Sequence, residues 1–393
     1  MAHPPGRGRP DETGAGDPSV AAARRRFAEY IAATRHARFQ RALALATAGI
    51  SALVLLTAGG GWLLAGYING QVGRVSAGTA GTVASGPLTI LLAGIDVRSG
   101  LTRRQERLLH VGHAIGHNSD TLMLVHISAD HRHVEVISIP RDSWVRIPGH
   151  GMDKINAAIG LGGPTLMVRT VSLATGLSIN DFVEVNFLGF VKIVNALGGV
   201  DICLPFAVDD PYSGLHLAAG RHHVGGIVAL QFARDRHSFA LSDLTRITDQ
   251  QQLMSSVIAE ASSSGTLTDP ARFARFLAAA TSAVRVDRRF NLTGLADQLR
   301  YVRPSAVSFA TVPVADPGYL TPSGELAVLW NAGAARTLFE RVRDDQPLAP
   351  ARHRPDRRRS ETGRSRAGGG RAGGGQAGGG QARVRTAAEA ACR

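Results

Sequence analysis

The sequence lacks most of the motifs by which enzymes declare themselves. Only two of its 393 residues are cysteine, Cys203 in a strand-like run and Cys392 beside the C-terminus. No disulfide framework can be read from them, so a folded domain must be held by its core. No HExxH pair, Walker loop, GxSxG elbow or paired CxxC occurs, which weighs against metalloprotease, nucleotide-hydrolase and serine-esterase chemistry. Charge is missing where a nucleic-acid binder would need it. The formal net charge is +13, but twelve of these charges come from residues 1–41 and 347–393, leaving a nearly neutral body. Basic ends on a neutral body suit tails near anionic surfaces, not a groove that neutralises a phosphate backbone, and no nucleic-acid partner is expected.

From Ala42 to Gly73 charge is absent altogether. The apolar part, residues 42–68, would reach roughly 40 Å as a helix, enough to cross a bilayer. A buried core helix is one alternative. A cleaved signal peptide is the other, but its apolar region is usually only about 7–15 residues and lies nearer the start. Arg24, Arg25, Arg26, Arg35, Arg38 and Arg41 precede the run, and Trp62 and Tyr67 sit where an interface belt belongs. These features predict a single-pass cell-membrane protein with residues 1–41 cytoplasmic and the rest outside. The Gly- and Pro-rich start and the AGGG tract around Arg366, Arg371, Gln376 and Gln381 make residues 1–41 and 346–393 read as disordered tails. Residues 69–86 read as a linker, and 87–345 as the folded unit.

Within 87–345, apolar patterning predicts strands at 88–93, 121–128 and 133–139, then a helical stretch over 164–174. A strand at 182–187 leads to an apolar helix near 190–197, a strand at 200–204, and helices around 224–232 and 244–261. Helices near 271–284 and 295–302, a strand at 306–312 and a helix at 332–342 complete the alternation. The expected fold is α/β, a three-layer α/β/α sandwich with a mixed central sheet, preceded by one transmembrane helix.

Charges fall at particular places relative to the first three strands. The first runs into Gly94-Ile95-Asp96-Val97-Arg98, and the second begins right after Asn118-Ser119-Asp120. If the two are antiparallel, Asp96 and Asp120 share one sheet edge. A turn at Ala129-Asp130-His131-Arg132 would return the third strand, delivering Pro140-Arg141-Asp142 to that edge. Lys154 follows a Gly-containing loop and is placed to reach the same point. A second cluster holds Arg234, Arg236, His237, Asp243 and Arg246 around a helix start. Arginines this close repel unless an anion sits among them, and guanidinium forks and free helix N–H groups both suit phosphate oxygens. Carboxylates beside such a cluster suggest Mg²⁺, or Mn²⁺, bridging a pyrophosphate, and hence phosphoryl transfer. Plainer readings carry weight. A lone Asp at a strand end is usually a turn or cap residue, and His110, His113, His117, His126 and His237 are more often packing or surface groups than functional ones.

At these residues the sequence resembles the LytR-CpsA-Psr family of bacterial cell-wall proteins. The matching strings are Ile90-Leu91-Leu92-Ala93-Gly94-Ile95-Asp96 with Arg98, Ser119-Asp120-Thr121, Ser138-Ile139-Pro140-Arg141-Asp142, Asp153-Lys154-Ile155-Asn156-Ala157-Ala158, Asn195-Ala196-Leu197-Gly198-Gly199-Val200-Asp201, and Ala229-Leu230 through Arg234-Asp235-Arg236 to Arg246 and Gln250. The resemblance covers about 87–345. It implies a Mg-dependent phosphotransferase that moves a glycopolymer with its phosphate from undecaprenyl (polyprenyl) pyrophosphate to peptidoglycan, forming a phosphodiester and releasing polyprenyl phosphate. By position it implies that Asp96 and Asp120 are the acidic pair that holds the metal or deprotonates the acceptor. Arg98, Arg141, Arg234, Arg236 and Arg246 would be the pyrophosphate clamp, with Arg141 also in the catalytic group and Lys154 among the pyrophosphate contacts. The polyprenyl chain needs an apolar channel, for which the helices at 164–174 and 190–197 are candidates, although such stripes are more often plain core.

The chain departs from the family pattern at three positions. Asn118 stands where an Arg usually precedes Ser-Asp-Thr, Asp249 where a second Arg follows Arg246, and Phe239 where an acid is common. Two cationic contacts are thereby missing. A non-catalytic lipid- or wall-binding scaffold and a polyprenyl pyrophosphate hydrolase therefore stand as alternatives to the transferase. A membrane-bound transcription regulator would need an inward DNA-binding domain, which forty-one residues do not supply.

Overall fold

The computed structural model describes residues 70, 72–81, 86–95, 103, 106, 119–235, 242–299, 302–348 and 384–386. The chain divides into two units, Met1–Tyr67 and Ile68–Arg393, and every described residue belongs to the second. The span expected at 42–68 and the tail at 1–41 lie outside the described residues, as does most of 346–393.

The first part of the domain contains β1 (Gly73–Val75), β2 (Leu88–Ile95), β3 (Ser119–Ile127), β4 (Val134–Ile139) and a hairpin of β5 (Trp144–Ile147) and β6 (Gly151–Lys154). Helix α1 (Ala157–Thr175), β7 (Asp181–Asn186) and α2 (Phe187–Leu197) follow, then β8 (Val200–Leu204), β9 (Val208–Asp210), β10 (Leu215–Leu217) and β11 (Gly220–Val224). Helices α3 (Gly226–Arg234), α4 (Ser242–Ala261), α5 (Ser264–Leu267) and α6 (Pro270–Ala283) lead to β12 (Val284–Asp287) and α7 (Leu292–Leu299). The chain continues through β13 (Val307–Thr311), β14 (Val314–Leu320), β15 (Leu326–Trp330), α8 (Ala332–Arg343) and β16 (Arg385–Thr386).

Eight strands form one mixed sheet in the order β1-β12-β7-β2-β3-β4-β13-β16. β2 is antiparallel to β3 and β3 to β4, while β7 runs parallel to β2 and β13 parallel to β4. The C-terminal ends of β2, β4, β7 and β13 and the start of β3 therefore share one end of the sheet, called here the site end. Side chains alternate between the two faces as the pleat requires. Leu91, Ala93, Leu122, Leu124, Ile137 and Ile139 meet Met167 and Val171 of α1 and Leu338 and Phe339 of α8. Ile90, Met123, Val136 and Phe309 meet Met254 and Ile258 of α4 and Leu295 of α7 on the other face. The expected mixed sheet with helices on both faces is the architecture observed.

Three segments differ from expectation. Residues 69–86, read as a linker, contain β1, which lies parallel to β12, and the Ala77 N–H donates to Asp287 Oδ2 at 2.7 Å. The tail read as disordered contributes β16, antiparallel to β13. Cys203 is disulfide-bonded. The β1–β12 and β13–β16 pairings join residues far apart in the chain, which local patterning does not register.

Among the described residues, α1 alone is long and apolar enough to cross a membrane. It is a core helix instead. Non-helical backbone at Gly162 and Gly163 breaks it, with Gly163 at φ +66°, a conformation that favours glycine. Its Leu166, Met167, Val168 and Val171 are buried against the sheet.

Candidate active site

Asp120 lies at the start of β3, where the pairing with β2 shifts register next to Ile95. Arg141 leaves the end of β4 and donates from Nη1 to Asp120 Oδ1 at 2.6 Å. Its Nε is 3.3 Å from Asp142 Oδ2, so one guanidinium is held between two carboxylates. The antiparallel order of β2, β3 and β4 brings these groups to the site end, as the strand-end reasoning requires.

A cavity of about 340 Å³ opens between the sheet and helices α2, α3 and α4. Its walls are Leu92, Met123, Val183 and Val185 from the sheet, Phe187, Phe190 and Ile193 from α2, and Leu253, Met254 and Val257 from α4. The charged and amide groups in the wall are Asp120, Asn186, Arg234, Arg246 and Gln250. Asp120 stands at the start of β3 and Asn186 ends β7, both at the site end. Arg234, in the last turn of α3, lies over the Phe187 ring with Cζ 5.3 Å from its centroid, a cation–π contact that holds the guanidinium beside the first turn of α2. Arg246 is buried. Apolar walls closed by an acid and arginines suit a ligand with a long hydrocarbon part and an anionic head.

Local sequence explains how these walls meet. Asn186 caps α2, its Oδ1 accepting from the Gly189 N–H at 2.7 Å. Gly189 itself must lack a side chain, because a Cβ there would lie 2.6 Å from Ala283 Cα on α6. A Cβ on Gly226 would lie 2.7 Å from Val191 Cα, so α3 also starts hard against α2. On α4, Arg246, Gln250, Leu253 and Val257 follow helical spacing and all line the cavity. The neighbouring Gln251 faces the sheet and donates from Nε2 to Ser138 Oγ and Ala310 O at 3.1 Å.

Asp249 stands outside the cavity wall. Burial, reinforced by the like charge of buried Asp235, pushes its carboxyl up to about 7. The cation that the family pattern would place here is thus replaced by an acid that titrates near neutrality.

The structure brings Asp120, Arg234 and Arg246 into one wall and ties Arg141 to it through Asp120. It does not bring Lys154 there. Lys154 Nζ pairs with Glu325 Oε2 at 3.3 Å, because β5–β6 is a hairpin that leans on β14–β15. Asp96, Arg98 and Arg236 lie outside the described residues, as do Asn118, His237 and Phe239. Of the two helices expected to line an apolar channel, α2 lines this cavity. The 164–174 stretch, in α1, packs on the opposite face of the sheet, and α4 takes its place. His126 is a buried packing group bonded to Thr89 Oγ1 and Asp345 Oδ1. Among the described residues no cluster of three metal-ligating side chains occurs. A hard cation at the site end would rest on one or two carboxylates plus substrate oxygens, a donor set that fits Mg²⁺.

The fold and site define a mixed-sheet α/β domain with an apolar cavity closed by an acid and arginines. The chain belongs to the LytR_cpsA_psr family, whose model matches residues 70–332. It is 32% identical over 338 residues to the cell wall biosynthesis protein LcpA of Corynebacterium glutamicum, covering 77% of this chain and 65% of that protein. It is 36% identical over 187 residues to the polyisoprenyl-teichoic acid--peptidoglycan teichoic acid transferase TagU of Bacillus cereus, covering 47% of this chain and 56% of that one. The chain therefore spans slightly less than two thirds of LcpA and just over half of TagU. A solved LytR-Csp2A-Psr enzyme from Actinomyces oris shares the fold, with a TM-score of 0.54 at 23% identity over 69% of this chain and 96% of that one.

Proposed function

We propose that this protein transfers a glycopolymer with its phosphate from a polyprenyl pyrophosphate carrier to peptidoglycan. The observation that carries the reading is the joining of one apolar cavity to Asp120, Arg234 and Arg246. An isoprenoid tail would fill the apolar part and place its pyrophosphate against the arginines. The names of LcpA and TagU, a cell-wall biosynthesis protein and a teichoic acid transferase, support the same chemistry. The disulfide at Cys203 supports an oxidising location outside the cytoplasm. The uncharged run at 42–68 would be the anchor.

In the reaction, a sugar hydroxyl of the acceptor attacks the glycan-side phosphorus. The bond from that phosphorus to the bridging oxygen breaks, and polyprenyl phosphate leaves with the electron pair. Arg234 and Arg246 stabilise the charge that builds on the leaving phosphate. Arg141 fixes the orientation of Asp120, which takes the hydroxyl proton, with Asp96 as the second candidate. Asp120 and Asp96 would hold Mg²⁺, which when bound supplies further positive charge to the pyrophosphate.

Asp249, an acid where the family pattern has a cation, is the observation that keeps a non-catalytic lipid-binding scaffold as the second reading. Incubating the full-length protein in detergent with a polyprenyl-pyrophosphate glycan, peptidoglycan and Mg²⁺ separates the two. Transfer predicts release of polyprenyl monophosphate coupled to glycan attachment. Tight lipid binding without release would reject transfer in favour of the scaffold, and release without attachment would indicate a hydrolase.

A further inference from the structure

A second concavity lies on the opposite face of the sheet from the lipid cavity. It encloses about 450 Å³ and is lined by residues of β5, β15, α1 and α8. Trp144 and Trp330 give it aromatic surface over the buried Phe339, and Arg336 and Arg343 give it charge. The sequence has three tryptophans, and the two outside the 42–68 run both line this groove. Both are partly exposed. The Trp330 ring is fixed in place, its Nε1 donating to Ser143 Oγ at 2.7 Å and its centroid 5.9 Å from that of Phe339.

The two arginines are exposed and lie two helical turns apart on α8. Arg336 has no carboxylate within 4.0 Å among the described residues, and the Arg343 Nε donates to the Gly176 carbonyl at 3.3 Å. Exposed guanidinium groups beside aromatic rings in a concave surface suit an anionic ligand with flat apolar faces.

One end of the groove adjoins the segment that carries Arg141 and Asp142. Ser143 is two residues beyond Arg141, and the Val328 N–H donates to the Asp142 carbonyl at 2.8 Å. The Asn331 N–H donates to Pro313 O, which places the start of α8 at the site end, while Asp345 beyond its last turn bonds His126 near the opposite end of β3. The helix, and the groove beside it, thus lead away from the site for about 18 Å.

We propose that this groove binds the acceptor, an anionic amino-sugar strand of the peptidoglycan type. Pyranose faces lie on Trp144 and Trp330, carboxylates meet Arg336 and Arg343, and the sugar at the site end presents its hydroxyl near Arg141 and Asp120. The inference rests on the transferase reading and adds the place of the second substrate. Binding of soluble linear peptidoglycan strands to the full-length protein in detergent tests it without turnover. The double variant Arg336→Glu/Arg343→Glu, changed only at exposed positions, is expected to bind strands at least about tenfold more weakly, as is Trp144→Ala. Uncharged chitooligosaccharides of equal length should bind the wild type less tightly than the strands do. Binding of polyprenyl pyrophosphate by the double variant should be unchanged. Wild-type affinity in the double variant, or no strand binding by the wild type, would overturn the groove. Absence of donor cleavage in the wild type would count against the transferase reading alone.

Discussion

Glu135 and His126 face each other across β4 and β3 at the end of the sheet remote from the site, and both are buried. Burial pushes the Glu135 carboxyl up to about 7 despite the hydrogen bond it accepts from the Leu348 N–H. Between its ordinary value of 4.5 and about 7 the folded chain keeps a proton that the unfolded chain has lost. Stability therefore falls as pH rises through that window and is lowest above it. Glu135→Gln keeps the acceptor and removes the charge. It should stabilise the protein by about 2–3 kcal/mol at pH 8 and by almost nothing at pH 4.5, read from urea midpoints at the two pH values. At the site, Asp120→Asn keeps the shape but removes the charge paired with Arg141. Transfer should drop about 100-fold or more, with binding of the isoprenoid lipid retained; unchanged turnover would remove Asp120 from the chemistry. Asp120, Arg141, Arg234 and Arg246 were legible in the sequence because strand ends and closely spaced arginines localise charge. Lys154 was not, since its partner Glu325 sits on a hairpin 171 residues further along the chain.

Among the elements, α2 does most to shape the site, because it walls the cavity and is pressed against both α3 and α6. Gly189→Ala would force α2 off the backbone of Ala283. The expected cost is about 1–3 kcal/mol of stability, accompanied by weaker lipid binding; a melting temperature and lipid affinity equal to wild type would show that α2 has room to move. The lining role of α2 could be read from its apolar run. That of α4 could not, since Gln251, Ser255 and Ser256 interrupt a narrow stripe in which Leu253 and Val257 still keep helical spacing. In α1 the reading erred the other way. A helix apolar on most sides has the same sequence whether it faces a lipid or the core of a sheet.

For the whole molecule, the mixed sheet was legible from the short apolar runs of β2, β3 and β4. Its edges were not, because β1 and β16 are three- and two-residue strands from segments with the composition of linkers. Cys203 is disulfide-bonded, and such a cross-link is worth roughly 2–5 kcal/mol. Reduction, or Cys203→Ser, should lower the melting temperature of the full-length protein, and an identical melt with and without reductant would dismiss the cross-link as a stabilising feature.

The proposed function puts the lipid carrier in the cavity between the sheet, α2 and α4, with its pyrophosphate at Arg234 and Arg246. It is tested most directly by photo-crosslinking the full-length protein with a polyprenyl pyrophosphate that bears a reactive group on its isoprenoid tail, and mapping the labelled peptides. Labelling of Phe190, Ile193, Met254 or Val257, competed by unmodified polyprenyl pyrophosphate, is the predicted result. Labelling confined to α1 and α8 on the other face of the sheet would contradict it.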